Sequence, residues 1–238
     1  MICTSPTHET LEAALKGDVG RSLIAAVYQY ENGEAIPSNW QYAAIPEVTC
    51  HRDGIRPARL DAILHLKINR GNDLIVGVEV KNALEDLLFS ERFSDEIGFA
   101  DYFFVGVPAH LAEAAIGVIR DRDPMEWPKT GLYNAETGQI ILMPGRFSMA
   151  PEVRLHVLTQ AFYRTLRKPA DYLAGGPYPL CANSYVDFDG MRVERSSLLL
   201  ALKAYCHDYD LLRFKDHLGH LFPKQRKSER YQRLFATK

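Results

Sequence analysis

Three charged residues in two neighbouring apolar segments predict a site for hydrolytic chemistry. Asp61 lies in the segment 60–68, and Glu79 and Lys81 close the segment 74–81. In both segments the even-numbered positions are apolar, which is the alternation of a half-buried strand. Side chains along a strand point to alternate faces, so the three charged residues are predicted on the face opposite the apolar one.

The link between the two segments sets their register. Residues 69–73 include Gly71, which can adopt a positive φ, and they predict a hairpin turn. If the loop is 69–71, Ile68 pairs with Asn72, and Asp61 then lies opposite Glu79. Directly opposed side chains are about 5 Å apart at Cβ.

Two carboxylates at this separation repel each other unless a cation lies between them, and a hard divalent ion such as Mg²⁺ suits oxygen ligands. Such an ion stabilises charge on a scissile phosphate and lowers the pKa of bound water, while a lysine such as Lys81 orients that water. The alternative is an exposed sheet face with ordinary solvated charges. The Glu-x-Lys spacing alone is common. Its position at the end of a nearly uncharged strand favours the metal site, because a carboxylate there requires a partner.

These residues and their flanks resemble the PD-(D/E)xK nuclease superfamily, and in particular its bacterial MmcB-type DNA repair branch. The resemblance covers residues 8–150. It is carried by the first strand at 45–48, the Arg-x-Asp segment at 58–61, the triplet 79–81, Asp86, Arg92 with Phe93, the run 100–104, and the closing hairpin at 131–133 and 138–141. In place of the small hydroxyl residues that often follow the lysine stand Asn82 and Ala83, and Pro57 does not directly precede Asp61.

The resemblance implies roles for individual residues. Asp61 and Glu79 would be metal ligands together with the Val80 carbonyl, and Lys81 would orient or activate water. An acid from the first helix often completes such sites, and Glu12 is the candidate, with Glu9 and Glu47 behind it. The implied cofactor is Mg²⁺ or Mn²⁺, and the implied activity is hydrolysis of DNA phosphodiester bonds in repair or in the handling of foreign or mobile DNA. A catalytically inactive module that keeps the fold to bind DNA or a protein partner is the alternative.

Contacts with DNA must come from local basic surfaces, because the formal net charge is −2. Two clusters and one isolated arginine are candidates for phosphate binding, with solvated surface charge as the alternative. They are Arg52, Arg56 and Arg59 before Asp61, Arg92, and the C-terminal residues Lys224, Arg226, Lys227 and Arg230.

The cellular context follows from the cysteines and the terminus. The four cysteines show neither zinc nor disulfide spacing and are expected to be reduced and buried. The polar N-terminal stretch is unlike a secretory signal, and no apolar run is long enough to cross a bilayer. We therefore expect a cytoplasmic protein with no membrane contact. His207, His217 and His220 are interpreted as solvated or core histidines, and a homodimer formed through C-terminal helices is an open alternative.

The predicted fold is α/β, with a restriction-endonuclease-like αβββαβ core, a mixed central sheet flanked by helices, and a helical C-terminal extension. The predicted domains are 1–150, nuclease-like, and 151–238, mainly helical. Periodicity predicts strands at 42–50, 58–68, 74–81 and 102–107, an edge hairpin at 130–135 and 139–143, and helices at 84–97, 109–120 and 151–168, with a further helix capped by Ser196 and Ser197. The first segment, 11–30, is predicted helical, either as one helix or as two helices divided at 17–20.

Overall fold

The computed structural model describes residues 11, 14–15, 17–37, 40–52, 55–68, 72–89, 96–122, 127–167, 185–188 and 191–194. Within these, the structure delimits four α-helices, two short 3₁₀ helices and eight strands. The helices are α1 (Asp18–Asn32), α2 (Leu84–Phe89), α3 (Ala112–Arg122) and α4 (Pro151–Arg167). The strands are β1 (Gln41–Arg52), β2 (Ile55–Ile68), β3 (Asn72–Val80), β4 (Tyr102–Val107), β5 (Thr130–Asn134), β6 (Ile140–Leu142), β7 (Tyr185–Phe188) and β8 (Met191–Glu194).

Strands β1 to β6 form one mixed sheet whose spatial order follows the chain. The first three strands are antiparallel neighbours, β4 and β5 are then added in parallel, and β6 returns antiparallel to β5. The predicted α/β class with a mixed central sheet and flanking helices is confirmed, and so is the hairpin of β5 and β6.

The register of the β2–β3 hairpin is the predicted one. Ile68 pairs with Asn72 and Ala62 pairs with Val78. Extending this register by one residue places Asp61 opposite Glu79. The length of the turn therefore fixes the position of the two acids relative to each other, as the sequence indicates.

Both faces of the central strands are buried, which differs from the half-buried strands expected. On one face the even-numbered residues of β2 and β3 join α1 in a single apolar cluster. On the other face Ile63, Ile75 and Phe103 are also fully buried. Here β3 pairs in parallel with β4. Parallel strands are usually buried on both faces, because the connections between them cross over and cover the sheet.

Asp101, just before β4, ties the sheet to α4. Its backbone N–H donates to the Ile75 carbonyl at 2.8 Å, and its Oδ2 accepts the Ile75 N–H at 2.8 Å. Its Oδ1 forms an ion pair with Arg154 of α4. Asp101 belongs to the 100–104 run in the resemblance, and its contacts in this structure are those of a structural anchor.

Two helices differ in length from the prediction. Of the helix expected at 84–97, the structure describes α2 and the helical residues 96–97, and residues 90–95 lie outside the described part. The helix expected at 109–120 begins with a single 3₁₀ turn at Ala109–Leu111 before α3. Among the described residues, no helix is long and apolar enough to cross a membrane.

The chain divides into two compact units, one of residues 1–161 and 170–177, the other of residues 162–169 and 178–238. The division lies within α4, whereas the predicted domain boundary lies at the start of that helix. In the second unit β7 and β8 form an antiparallel hairpin that was not predicted in the mainly helical extension. The predicted helix capped by Ser196 and the histidines at 207, 217 and 220 lie outside the described residues.

Candidate active site at the open end of the β2–β3 hairpin

The predicted acids and lysine meet where β3 ends. Glu79 is the second-last residue of β3, and Lys81 follows the strand directly. The Lys81 backbone N–H donates to the Gly106 carbonyl of β4 at 2.9 Å, so the chain continues the sheet pairing past Val80. This backbone bond fixes the point from which the Lys81 side chain leaves the sheet.

Two hydrogen bonds link Asp61 to the end of β3, one to Val80 and one to Glu79. Asp61 Oδ2 accepts the Val80 backbone N–H at 2.8 Å. A hydrogen bond from the Asp61 backbone to the Glu79 carboxylate lowers the pKa of Glu79. Beyond the Ala62–Val78 pair, therefore, carboxylates replace backbone carbonyls as acceptors between β2 and β3.

An irregularity in β1 lies at the level of Asp61. Glu47 has a φ of 49° and lies between the Pro46–Ala62 and Val48–Leu60 pairs. Next to it the alternation of β2 breaks, because a Cβ added to Gly77 would lie 2.7 Å from Leu60 Cδ2. Leu60 thus contacts the face of the sheet opposite the apolar cluster that contains Ala62. This corrects the expectation that all even-numbered residues of β2 share one face. The change coincides with the positive φ of Glu47, while the β1–β2 register is the same on both sides of that residue.

The Glu79 carboxylate is buried and forms an ion pair with the Lys81 ammonium. Lys81 Nζ donates to Glu79 Oε1 at 2.7 Å, with the lysine and glutamate side chains 16% and 10% exposed. Asp61 and Glu79 are both buried. The alternative of an exposed face with solvated charges is therefore wrong for these two acids.

The electrostatics of Glu79 indicate an incompletely compensated negative charge. Burial raises the pKa of Glu79 most, the charge of Asp61 raises it further, and the ion pair with Lys81 opposes both. Glu79 Oε2 is buried and has no hydrogen-bond partner in the described part of the chain. A buried carboxylate oxygen without a donor beside a second carboxylate is an environment that favours a cation.

The same region does not supply a complete set of metal ligands. No group of three or more His, Cys, Asp or Glu side chains with metal-binding arrangement occurs among the described residues. Glu12 and Glu9, the candidates for a further acid, lie outside those residues, and Glu47 is exposed. The donors at hand are the two carboxylates and the Val80 carbonyl, all oxygen atoms of the kind that Mg²⁺ and Mn²⁺ accept.

Of the predicted DNA-binding residues, Arg59 is the one whose side chain is described. It is exposed on β2, two residues before Asp61, and pairs with Thr49 of β1. Arg52 and Arg56 lie on the backbone of β1 and β2 near the turn of that hairpin, and their side chains lie outside the description. Arg92 and the C-terminal set Lys224, Arg226, Lys227 and Arg230 also lie outside it.

One buried polar group on β5 was not predicted from the sequence. Tyr133 of β5 is fully buried, and its hydroxyl has no hydrogen-bond partner among the described residues. In the sequence, Tyr133 stands out only as part of the closing hairpin of the family resemblance. Tyr133 pairs with Gly106 of β4. Once this register is known, an aromatic residue opposite a glycine indicates that the ring lies across the glycine.

Comparison with known proteins gives little outside support. No family model matches the chain, and no curated protein matches it. A solved structure of a protein of unknown function from Silicibacter pomeroyi is similar at 18% sequence identity and a TM-score of 0.38, with coverage of 65% of this chain and 93% of that one. A similarity at this level assigns neither a fold family nor an activity.

Proposed function

We propose that this protein is a divalent-metal-dependent nuclease of the PD-(D/E)xK type, built on a restriction-endonuclease-like core, that hydrolyses DNA phosphodiester bonds. The single observation that carries the proposal is Glu79 Oε2, which has no hydrogen-bond partner among the described residues. It lies in a buried carboxylate pair with Asp61, at a strand end that also presents Lys81. The corresponding biological role is DNA repair or the handling of foreign or mobile DNA.

The donors at the strand end fit a hard cation. Asp61, Glu79 and the Val80 carbonyl would hold Mg²⁺ or Mn²⁺. Glu79 Oε2, to which the described residues donate no hydrogen bond, is the position at which a bond to the ion would form. When bound, the ion supplies charge stabilisation for a phosphate in the transition state.

Lys81 is the protein group suited to act on water or on phosphate. The Lys81 ammonium donates to Glu79 Oε1, and the lysine side chain is 16% exposed. The ammonium therefore lies at the boundary between the buried acids and solvent. From there its donors can orient a water molecule or a phosphate oxygen. Arg59, exposed on the same strand as Asp61, supplies a positive charge for a flanking phosphate.

The decisive assay is cleavage of supercoiled plasmid and of single-stranded oligonucleotides in Mg²⁺ or Mn²⁺. Glu79→Gln and Lys81→Met should each abolish cleavage. Glu85→Gln, which removes an exposed acid six residues after Glu79, is the matched control and should retain it. Circular dichroism of each variant establishes that it is folded. Full cleavage by both site variants would reject the assignment of the site.

Metal binding is tested separately by thermal unfolding with and without Mn²⁺. A ligand that binds only the native state stabilises it by mass action, about 2.7 kcal/mol at a concentration 100 times its Kd. The wild type should show this stabilisation, and Asp61→Asn should lose it. Equal stabilisation of the variant would show that the ion binds elsewhere.

A catalytically inactive module that binds DNA or a protein partner is the second candidate, and one observation favours it. Each acid already has a partner within the chain, Asp61 with Val80 and Glu79 with Lys81. A cluster held in this way can serve the fold alone. Retarded migration of DNA with the protein, without cleavage in either metal ion and with no Mn²⁺ stabilisation, would establish this alternative.

A further inference from the structure

Glu47 of β1 lies directly opposite Asp61 of β2. The pairs on either side of these two residues are Pro46 with Ala62 and Val48 with Leu60. The register is therefore continuous across this point, and a single residue of each strand separates the two pairs. In β1 that residue is Glu47, and in β2 it is Asp61.

The side chains of the two flanking pairs lie on opposite faces of the sheet. Ala62 belongs to the apolar cluster that contains α1. Leu60 lies on the other face, where its Cδ2 would be 2.7 Å from a Cβ added to Gly77. Directly paired residues share a face. Strand β1 therefore changes face between Pro46 and Val48, as β2 does between Leu60 and Ala62.

The backbone of β1 departs from strand geometry at the residue where the face changes. In a regular strand, residues two positions apart point to the same face, so each strand must depart from that geometry at its intervening residue. Glu47 has a φ of 49°, and within the described part of the chain it is the only residue other than glycine with a positive φ. A glutamate is disfavoured in this left-handed region, and such a conformation persists where the surrounding structure imposes it.

The departure in β2 coincides with the hydrogen bond that Asp61 forms with β3. In a regular antiparallel ladder, a strand N–H bonds to a backbone carbonyl of its neighbour. Here the Val80 N–H bonds to Asp61 Oδ2 at 2.8 Å, so the Asp61 side chain reaches across to β3. The next amide, that of Lys81, returns to a backbone acceptor, the Gly106 carbonyl, at 2.9 Å.

We propose that Glu47 is a positioning residue of the acidic site, whose left-handed backbone holds Asp61 in the orientation from which its carboxylate accepts the Val80 N–H. The positive φ lets β1 change face together with β2, so the pairs on both sides stay in register. The role belongs to the backbone, because Glu47 is exposed and no group of three acidic side chains that could hold a metal ion occurs among the described residues. Its effect on Asp61 is a property of the metal-free protein, and its effect on cation binding rests on the proposed function.

The test is amide hydrogen exchange in metal-free protein, with variants that differ in their tolerance of a positive φ. Glycine accepts this backbone freely, whereas the β-branched residues threonine and valine oppose it. We expect Val80 to exchange about fivefold faster relative to Lys81 in Glu47→Thr and in Glu47→Val, and at the wild-type ratio in Glu47→Gly. All three variants lack the carboxylate, so the comparison isolates the backbone. The Lys81 amide, bonded to Gly106, is the internal control for global opening.

Two results of the exchange experiment would overturn the proposal. The same ratio in wild type and in all three variants would show that the φ of residue 47 does not act on Asp61. A ratio raised equally in all three would assign the effect to the lost carboxylate. Two β-branched variants are used so that the comparison with glycine stands if one of them fails to fold.

Titration with Mn²⁺, followed by thermal unfolding, separates this proposal from the nuclease function. Loss of a group that orients a metal ligand typically weakens metal affinity by roughly 10- to 100-fold. We expect a loss of this size in Glu47→Thr and the wild-type affinity in Glu47→Gly. A wild type without any Mn²⁺ response, together with faster Val80 exchange in Glu47→Thr, would reject the metal site and support the positioning role. Equal Mn²⁺ affinity in Glu47→Thr and wild type would count against the role of Glu47 in the site.

Discussion

The ion pair of Lys81 with Glu79 should be coupled more strongly than a surface pair, and a double-mutant cycle measures the coupling. At an N–O distance of 2.7 Å and an effective dielectric constant of about 20, the attraction is about 6 kcal/mol. Desolvation of the two ions offsets much of this, because both side chains are largely buried. The value typical of a charge-assisted hydrogen bond remains, so we expect a coupling free energy of about 2 kcal/mol.

The cycle uses Lys81→Met, Glu79→Gln and the double variant, unfolded with urea at neutral pH in the presence of a chelator. Lys81→Met leaves a buried carboxylate without its cation and should reduce the free energy of unfolding by about 3 kcal/mol. Glu79→Gln removes the charge that burial disfavours and should have a smaller effect. Additive effects, with coupling below about 0.5 kcal/mol, would refute the buried ion pair.

Three further perturbations follow from the same contacts. Burial and the charge of Asp61 raise the pKa of Glu79, so the native state binds the Glu79 proton more tightly than the unfolded chain does. The free energy of unfolding of the metal-free protein should therefore fall as the pH rises from the ordinary carboxyl pKa through the raised pKa of Glu79. Urea midpoints measured from acidic to neutral pH should show this slope in wild type and a shallower one in Glu79→Gln. Asp101→Ala removes a hydrogen bond to the backbone and the ion pair with Arg154, and should lower the free energy of unfolding by about 3 kcal/mol without changing Mn²⁺ affinity; a loss below about 1 kcal/mol would contradict its role as an anchor. Gly106→Ala places a methyl group against the Tyr133 ring and should destabilise the protein by about 1 to 3 kcal/mol, and an unchanged urea midpoint would show that the ring is free to move.

Local patterns sufficed for the β2–β3 hairpin because its register depends on adjacent residues. Loop length and the alternation of apolar positions predict the pairing of Ile68 with Asn72, and the structure has it. The opposition of Asp61 and Glu79 follows from the same register. Nothing beyond the segment 60–81 is needed for this part of the candidate site.

The features that were not predicted depend on neighbours distant in the chain. The positive φ of Glu47 is not encoded by its residue type, since glutamate rarely adopts it, and so the change of face at Leu60 could not be read from β2 alone. The anchoring role of Asp101 requires Arg154 of α4. Likewise, the Tyr133 ring lies across Gly106 only because β5 pairs in parallel with β4 in this register.

The two acids of the site are not equivalent as support for a catalytic function. Asp61 closes the β2–β3 pairing by accepting the Val80 N–H, and this contact is a sufficient structural reason for a carboxylate at that position. For the second oxygen of Glu79 the described residues offer no such reason. That oxygen is buried without a donor, and burial and Asp61 both disfavour its charge. Glutamine at position 79 would carry less electrostatic penalty and could keep an acceptor for the Asp61 N–H. Substitution of Glu79 therefore distinguishes a nuclease from a fold-keeping module better than substitution of Asp61. In a nuclease, Glu79→Gln loses cation binding with little change in metal-free stability, whereas in a module that uses the cluster only for folding it has no cation binding to lose.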